Sequence, residues 1–340
     1  MSIFGLPLSV TARAGTNIAL VKYWGKRDKE LNLPATGSLS LTLAHFGSET
    51  TVRFAPDAEA REGGDQVIFN GAPAEPAFAQ RVRRFLDLVR EESQVGLPAE
   101  VITRNEVPTA AGLASSASGF AALALAASRA ANLKLSPSDL SALARRGSGS
   151  AARSIFGGFV EMAAGESLDG SDACARPLLA ADAWDVRLVV AITAEGAKAI
   201  GSSEAMERTA QTSPYYGGWL QSVKEDLEAA RAATLAQDLA SLGQIAERNA
   251  LRMHACAMAA DPPIVYWNCA TMAAMETVRR LRAAGSQAYF TIDAGPHVKV
   301  LCTSHDVTSV EPALSATPGV LRTLVLAPGP GAQVVSEERR

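Results

Sequence analysis

An α+β fold in two parts is what this sequence predicts, and three observations carry that expectation. The chain has 340 residues, more than one hydrophobic core usually spans, and at roughly 150 residues per domain two domains are expected. Strand-type and helix-type apolar patterns occur in both halves with hairpin-like spacings, which favours α+β over a doubly wound parallel sheet. A linker-like run, Ser167 to Asp182, separates the halves. The expected parts are therefore residues 1–184 and 185–340.

In chain order, Val52 to Phe54, Gln66 to Phe69 and Glu100 to Thr103 read as short strands, with turn signals at Gly63-Gly64 and Asn70-Gly71. Ala79 to Val95 brings Val82, Phe85 and Val89 to one side of a helix. Leu113 to Leu133 has the Ala/Leu content of a buried helix, and Ser136-Pro137-Ser138-Asp139 opens another with proline near its first turn. Asp185 to Ile192 reads as a central strand. Trp219, Val223, Leu227 and Ala230 mark one amphipathic helix; Trp267, Thr271, Ala274, Val278 and Leu281 mark a second, which stops at Gly285. Gln287 to Ile292 and Val298 to Cys302 read as strands, and Ser336 to Arg340 is expected to fray.

Composition removes several classes of function. A chain 48% hydrophobic and 20% charged can bury a large core. Its formal charge of −3 gives no electrostatic case for nucleic acid or an anionic membrane, so phosphate chemistry must come from locally placed groups. The longest small-apolar run, Gly119 to Leu133, is interrupted by Ser128 and Arg129 and is too short to span a bilayer. Met1 to Val10 lacks the basic start of a secretory signal, so a cytoplasmic protein is expected. Cys174, Cys256, Cys269 and Cys302 form no CxxC pair and read as reduced, packed thiols, while His45, His254, His297 and His305 are dispersed. A transition-metal site is not expected.

One segment points to a polyanion. Pro108-Thr109-Ala110-Ala111-Gly112-Leu113-Ala114-Ser115-Ser116-Ala117 is rich in small residues and runs into an apolar helix. Small side chains let the backbone approach phosphate, N–H groups at a helix start donate to it, and the helix dipole favours negative charge there. No GK[ST] follows, so it is not a Walker loop. Composition alone also suits a packed turn whose serines cap the helix.

The wording of that loop resembles the signature of the GHMP small-molecule kinase superfamily, and Asn105 to Ser116 is similar to its diphosphomevalonate decarboxylase branch. Three further segments agree in order: Asn17-Ile18-Ala19-Leu20-Val21-Lys22-Tyr23-Trp24-Gly25-Lys26-Arg27-Asp28, Ser148-Gly149-Ser150-Ala151-Ala152-Arg153-Ser154, and Asp293-Ala294-Gly295-Pro296. The resemblance implies a GHMP kinase-like fold, with an S5 domain 2-like N-terminal domain and a ferredoxin-like C-terminal one. It implies ATP as co-substrate, Mg²⁺, a homodimer, and decarboxylation of mevalonate 5-diphosphate to isopentenyl diphosphate. A phosphomevalonate decarboxylase, a mevalonate-type kinase of the same fold and a non-catalytic nucleotide-binding protein are the alternatives.

Carried over position by position, Asp293 beside the C3 hydroxyl, Arg153 on the substrate carboxylate and Lys22 next to Asp293 form the implied catalytic group. Asp293 alone would read as a turn former, and Arg145 and Arg146 read as surface residues. Tyr23, Lys26, Ser150, Arg153 and Ser203 are the implied substrate contacts, with Trp24 in the core. Asn105, Pro108, Gly112, Leu113, Ala114, Ser115, Ser116 and Ala117 are implied to hold ATP, with Ser116 near its Mg²⁺. Two departures from the family pattern stand out: His297 follows Asp-Ala-Gly-Pro in place of the usual Asn, and Gly201-Ser202-Ser203-Glu204-Ala205-Met206 lacks a glycine and carries Glu204 where some bacterial members have a basic residue. An acid there opposes a diphosphate unless it turns outward on a loop.

Overall fold

The computed structural model describes residues 9–54, 64–105, 115–196 and 198–338. Its elements run β1 (Ser9–Val21), β2 (Lys26–Asp28), β3 (Leu33–Pro34), β4 (Ser38–Phe54), β5 (Gln66–Phe69), β6 (Ala72–Pro73), α1 (Pro76–Ser93), β7 (Ala99–Asn105), α2 (Ser115–Ala130), α3 (Pro137–Gly147), α4 (Ala151–Ser154), β8 (Phe159–Met162), β9 (Ala175–Leu179) and β10 (Val186–Ile192). They continue with α5 (Ser202–Thr212), α6 (Tyr216–Leu235), α7 (Leu239–Met258), α8 (Cys269–Ala283), β11 (Ala288–Ile292), β12 (Val298–Thr303), α9 (Val307–Ser315), β13 (Arg322–Leu326) and β14 (Gln333–Glu338). This is the expected α+β class.

The first sheet is built on two long antiparallel strands, β1 and β4, in the order β14-β1-β4-β7-β5-β6, with β8 pairing β4 and β9. Gly15 lies opposite Gly47 in the β1–β4 register. A Cβ on either would collide with backbone carbonyls across the ladder, so only glycine lets the strands approach there. Helices α1 and α2 cover one face, burying Val82, Phe85 and Val89, as the helical spacing requires, against Phe120, Val52 and Val101. Ser136 caps α3 by accepting from Asp139 N, with Pro137 in the first turn.

The second sheet is antiparallel, in the order β11-β12-β10-β13. Both its faces are covered, which is why β10 reads as a continuous apolar run. Val189 and Ala191 pack with Val278 of α8 and Leu314 of α9, while Leu188 and Val190 join Leu242 and Met253 of α7 and Ile18, Leu20 and Leu39 of the first sheet. A single core thus spans both halves.

Four expectations need correction. Ser336 to Glu338 does not fray: it lies in β14, where Ser336 pairs with Thr11 and Glu338 with Ser9, so the chain end returns to the first sheet. The linker-like Ser167 to Asp182 contains β9, a strand of that sheet, because Ala175 is buried against β8. Arg145 is not a surface residue: it is 2% exposed, donating to the carbonyls of Leu31 and Gly170 at 3.1 and 2.7 Å and to that of Ala173. Cys269 is exposed rather than packed, and all four thiols are free.

Candidate active site

The junction of the two sheets gathers charge that neither half could bury alone. β1 ends at Val21, so Lys22 leaves the strand pointing into the second half, where its Nζ donates to Asp293 Oδ1 at 2.7 Å and to Ala19 O at 2.8 Å. Asp293 directly follows β11 and starts a turn closed by Gly295 N donating to Asp293 O at 2.7 Å. Lys299, on β12 across from Thr291, reaches the other oxygen, Oδ2, at 3.1 Å. Lys22 is 2% exposed and Asp293 30%, so the carboxylate faces an approach that its cations do not.

These charges shift one another. Burial raises the pKa of Asp293, but Lys22 and Lys299 outweigh it and hold the carboxyl well below the usual range. Burial, with Lys299 and Arg153 nearby, pulls Lys22 down to about 8 against the attraction of Asp293. His254 of α7 is packed 4.8 Å from the Trp267 ring and edge-on to Tyr266. Burial and the Lys22 charge push it down to about 3, so it is a neutral wall.

Arg153 on α4 is 2% exposed and forms no ion pair among the described residues. Its Nη1 donates to Ser38 Oγ at 2.6 Å and its Nε to Asn17 Oδ1 at 3.2 Å. Asn17 in turn donates to Ser150 O and Ser154 Oγ at 3.0 and 2.8 Å, locking the guanidinium's mount. Burial lowers Arg153 to about 10, which leaves it charged at neutral pH. A buried cation held by neutral groups has an open demand for an anion.

Hydroxyls line the space beside it. Ser150 Oγ lies 3.3 Å from Ser148 Oγ, which lies 3.5 Å from Ser116 Oγ at the start of α2. The hydroxyl of Tyr23 is buried without a hydrogen-bond partner, and a Cβ on Gly149 would overlap it. Its pKa is raised by that burial. Trp24 is core, as expected, and its carbonyl accepts from Trp219 Nε1 at 2.9 Å.

Lys26, at the start of the β2–β3 hairpin, donates to Asn32 Oδ1 at 2.7 Å and reaches Ser203 Oγ at 3.4 Å. Its pKa is lowered by burial and then by Arg81 of α1, a second cation with no ion pair among the described residues. Ser203 is in the first turn of α5, where Lys198 donates to Ser202 Oγ at 2.7 Å and to Ala294 O at 3.1 Å. Glu204 is in the same helical turn rather than on a loop. It points outward, 66% exposed, paired with Arg208 at 2.9 Å. His297 is buried and accepts from Thr193 N through Nδ1 at 3.2 Å.

Pro108, Gly112, Leu113 and Ala114 lie outside the described residues, as does the side chain of Ser115. Asn105 ends β7 and accepts from Ser48 Oγ at 2.8 Å, and Ala117 is buried in α2. The structure thus brings together Lys22, Asp293 and Arg153, with Ser116 and Ser150 alongside, and sets Lys26 with Ser203 at the start of α5. The sequence reading missed Lys299, Lys198, Arg81 and Asn249. Each stands in an ordinary strand, loop or helix, and only the tertiary fold turns it inward.

Two family models match the chain: the diphosphomevalonate decarboxylase-like N-terminal domain over residues 14–175 and the mevalonate 5-diphosphate decarboxylase C-terminal domain over residues 188–320. The chain belongs to the diphosphomevalonate decarboxylase family. It is 36% identical to the diphosphomevalonate decarboxylase of Aspergillus fumigatus, covering 91% of this chain and 80% of that one, and 35% identical to the human enzyme, covering 86% and 76%. Among solved structures it is similar to mevalonate diphosphate decarboxylase from Staphylococcus aureus, at 37% identity and a TM-score of 0.91 over 98% of this chain and 100% of that one. It is also similar to a protein solved as MDDEF in complex with MVAPP, AMPPCP and magnesium, at 44% identity and a TM-score of 0.89 over 97% and 99%. The GHMP kinase fold that the sequence implied is therefore the fold of this chain.

Proposed function

We propose that this member of the diphosphomevalonate decarboxylase family converts mevalonate 5-diphosphate to isopentenyl diphosphate, consuming ATP and releasing ADP, phosphate and carbon dioxide. One observation carries the residue assignment: an ionised Asp293 clamped by Lys22 and Lys299 lies within electrostatic reach of Arg153, whose guanidinium has no acid of its own. The tertiary hydroxyl of the substrate sits against Asp293 and its carboxylate on the fork of Arg153. Hydroxide leaves poorly, so the hydroxyl first takes the γ-phosphoryl of ATP. Its departure as phosphate then draws electrons from the C–C bond to the carboxylate, which leaves as carbon dioxide.

Asp293 is a weak base, because two ammonium groups hold its charge. Its task is to orient the hydroxyl and receive its proton late, which a loose phosphoryl-transfer transition state requires and no more. Lys198, beside the Ala294 carbonyl, and Lys299 supply positive charge for the transferring group. The start of α5, with Ser203, Lys26 and Arg81, holds the 5-diphosphate. Asn105 and the segment Pro108, Gly112, Leu113, Ala114, Ser115, Ser116 and Ala117 hold ATP.

The hydroxyl chain from Ser116 to Ser150 offers hard oxygen donors, and among the described residues no cluster of three acidic or imidazole groups competes for a cation. That fits Mg²⁺ carried mostly by nucleotide phosphates, with Ser116 as its one protein oxygen. Bound there, the ion neutralises charge on the phosphates.

The division near residue 185, with β14 returning to the first part, belongs to this proposal. So do the cytoplasmic location and the homodimer, which fractionation and sedimentation test. Among the described residues no helix is long and apolar enough to cross a membrane. The deciding experiment offers ATP with mevalonate, its 5-phosphate and its 5-diphosphate, and follows ADP, phosphate and carbon dioxide together. Stoichiometric carbon dioxide from the diphosphate is expected; ADP without carbon dioxide would make the protein a kinase.

A further inference from the structure

A buried carboxylate behind the site has no task in the scheme above. Asp226 of α6 is 1% exposed, and Asn249 of α7 is fully buried. The Asn249 side chain donates through Nδ2 to Asp226 Oδ2 at 3.0 Å and accepts through Oδ1 from the backbone N–H of Lys22 at 2.8 Å. On the other side, Arg248 donates to Asp226 Oδ1 at 2.6 and 3.1 Å, and Arg252 reaches both oxygens at 3.3 and 3.2 Å. Both arginines are nearly half exposed. The carboxylate is thus the only buried charge in a chain running from the surface, through an amide, to the residue that holds Asp293.

We propose that Asp226 is a positioning residue for the reaction, acting through Asn249 on Lys22. An amide can face a neighbour with either its oxygen or its nitrogen, but an ionised carboxylate accepts only. Asp226 therefore forces Nδ2 towards itself and Oδ1 towards Lys22 N–H. A flipped amide would set two donors face to face at Lys22. Lys22 is the first residue beyond β1, where the ladder no longer fixes the backbone, so this hydrogen bond replaces the missing strand partner. Its ammonium must reach Asp293 in a space shared with Lys299, Arg153 and the neutral His254, where a small displacement of one cation changes the field on the carboxylate. A structural charge could be replaced by a packed apolar residue; a charge that orients an amide could not.

The inference rests on the assignment of Lys22 and Asp293, so Asp293→Asn is measured alongside. Asp226→Asn and Asn249→Ala are each expected to lower kcat about tenfold while KM for both substrates stays within about twofold, because what is lost is placement in the transition state. The swapped double variant Asp226→Asn/Asn249→Asp restores a carboxylate oxygen facing Lys22 N–H and an amide donor facing it from position 226. It is expected to return to within about threefold of the wild-type kcat. Full activity of folded Asn249→Ala, or a swap that is unfolded or as slow as the worse single variant, overturns the proposal. If either single variant fails to fold, the swap decides alone. An active Asp293→Asn would instead overturn the site assignment itself.

Discussion

Asp293 is held between two ammonium groups, and its replacement by asparagine keeps shape while removing the charge against which a hydroxyl is oriented. Turnover of Asp293→Asn should fall at least ~10²-fold with nucleotide binding retained, as for loss of a positioned electrostatic group. Near-normal steady-state turnover of the purified variant would remove Asp293 from the site. Arg153→Lys keeps a cation but not the fork, and Ser38 and Asn17 already fix where that fork points. The expected penalty exceeds a tenfold drop in kcat/KM, about 1.4 kcal/mol; a lysine variant equal to wild type excludes the clamp. The lowered Lys22 pKa, about 8, sets a pH dependence. Only protonated Lys22 can pair with Asp293, so activity of the free enzyme is present below this value and lost above it. A pH profile of kcat/KM should fall on its alkaline side near pH 8, while that of kcat falls at higher pH because bound phosphates favour the ammonium. A kcat/KM profile flat to pH 9.5 contradicts this. Lys22, Arg153 and Asp293 were legible because each stands in a dense motif. Lys299 was not, since Val298-Lys299-Val300 looks like any alternating strand until β11 is laid beside it.

At the scale of elements, the helices whose apolar spacing is regular, α1, α6 and α8, were legible, as were the strands that carry β-branched runs. The long β4 was seen only at its end. Ser38, Ser40 and Thr42 alternate with Leu39, Leu41 and Leu43, and all six are buried, so the polar face that should signal an amphipathic strand is itself inside and partly committed to the site. β14 was missed for the opposite reason: all its residues are exposed, and it exists by backbone pairing with β1 alone. The start of α8 combines legible and illegible parts. Asn268 Oδ1 accepts from Thr271 N at 2.8 Å in a capping box, while its Nδ2 donates to Thr193 O at 2.9 Å and Thr271 Oγ1 donates to Pro296 O at 2.6 Å in the Asp293 turn. Asn268→Ala removes the cap and leaves Thr193 O without that donor, so urea denaturation should show a loss of ~1–2 kcal/mol. Unchanged stability would mean that solvent replaces both bonds without cost.

For the whole molecule, net charge says little about where charge is needed. The chain carries −3 overall, yet Lys22, Lys198, Lys299 and Arg153 surround a single carboxylate, and Lys26 and Arg81 approach each other beside the α5 start. Like charges held together in partly buried space cost free energy that an arriving polyanion recovers. Glu204 does not cancel them, because Arg208 holds it on the solvent side of α5, and Glu207 is engaged by Lys29. The substrate tail should therefore carry the larger charge. The expected kcat/KM for mevalonate 5-diphosphate exceeds that for the 5-monophosphate by at least about tenfold, one unit of charge in a desolvated pocket being worth that much. Lys26→Ala and Arg81→Ala should narrow the ratio, and raising ionic strength should lower the diphosphate value more steeply than the monophosphate value. Glu204→Ala should change the ratio by less than about twofold. If instead the wild-type enzyme prefers the monophosphate and Glu204→Ala reverses that preference, the glutamate faces the tail in the closed complex and the protein acts on the shorter substrate.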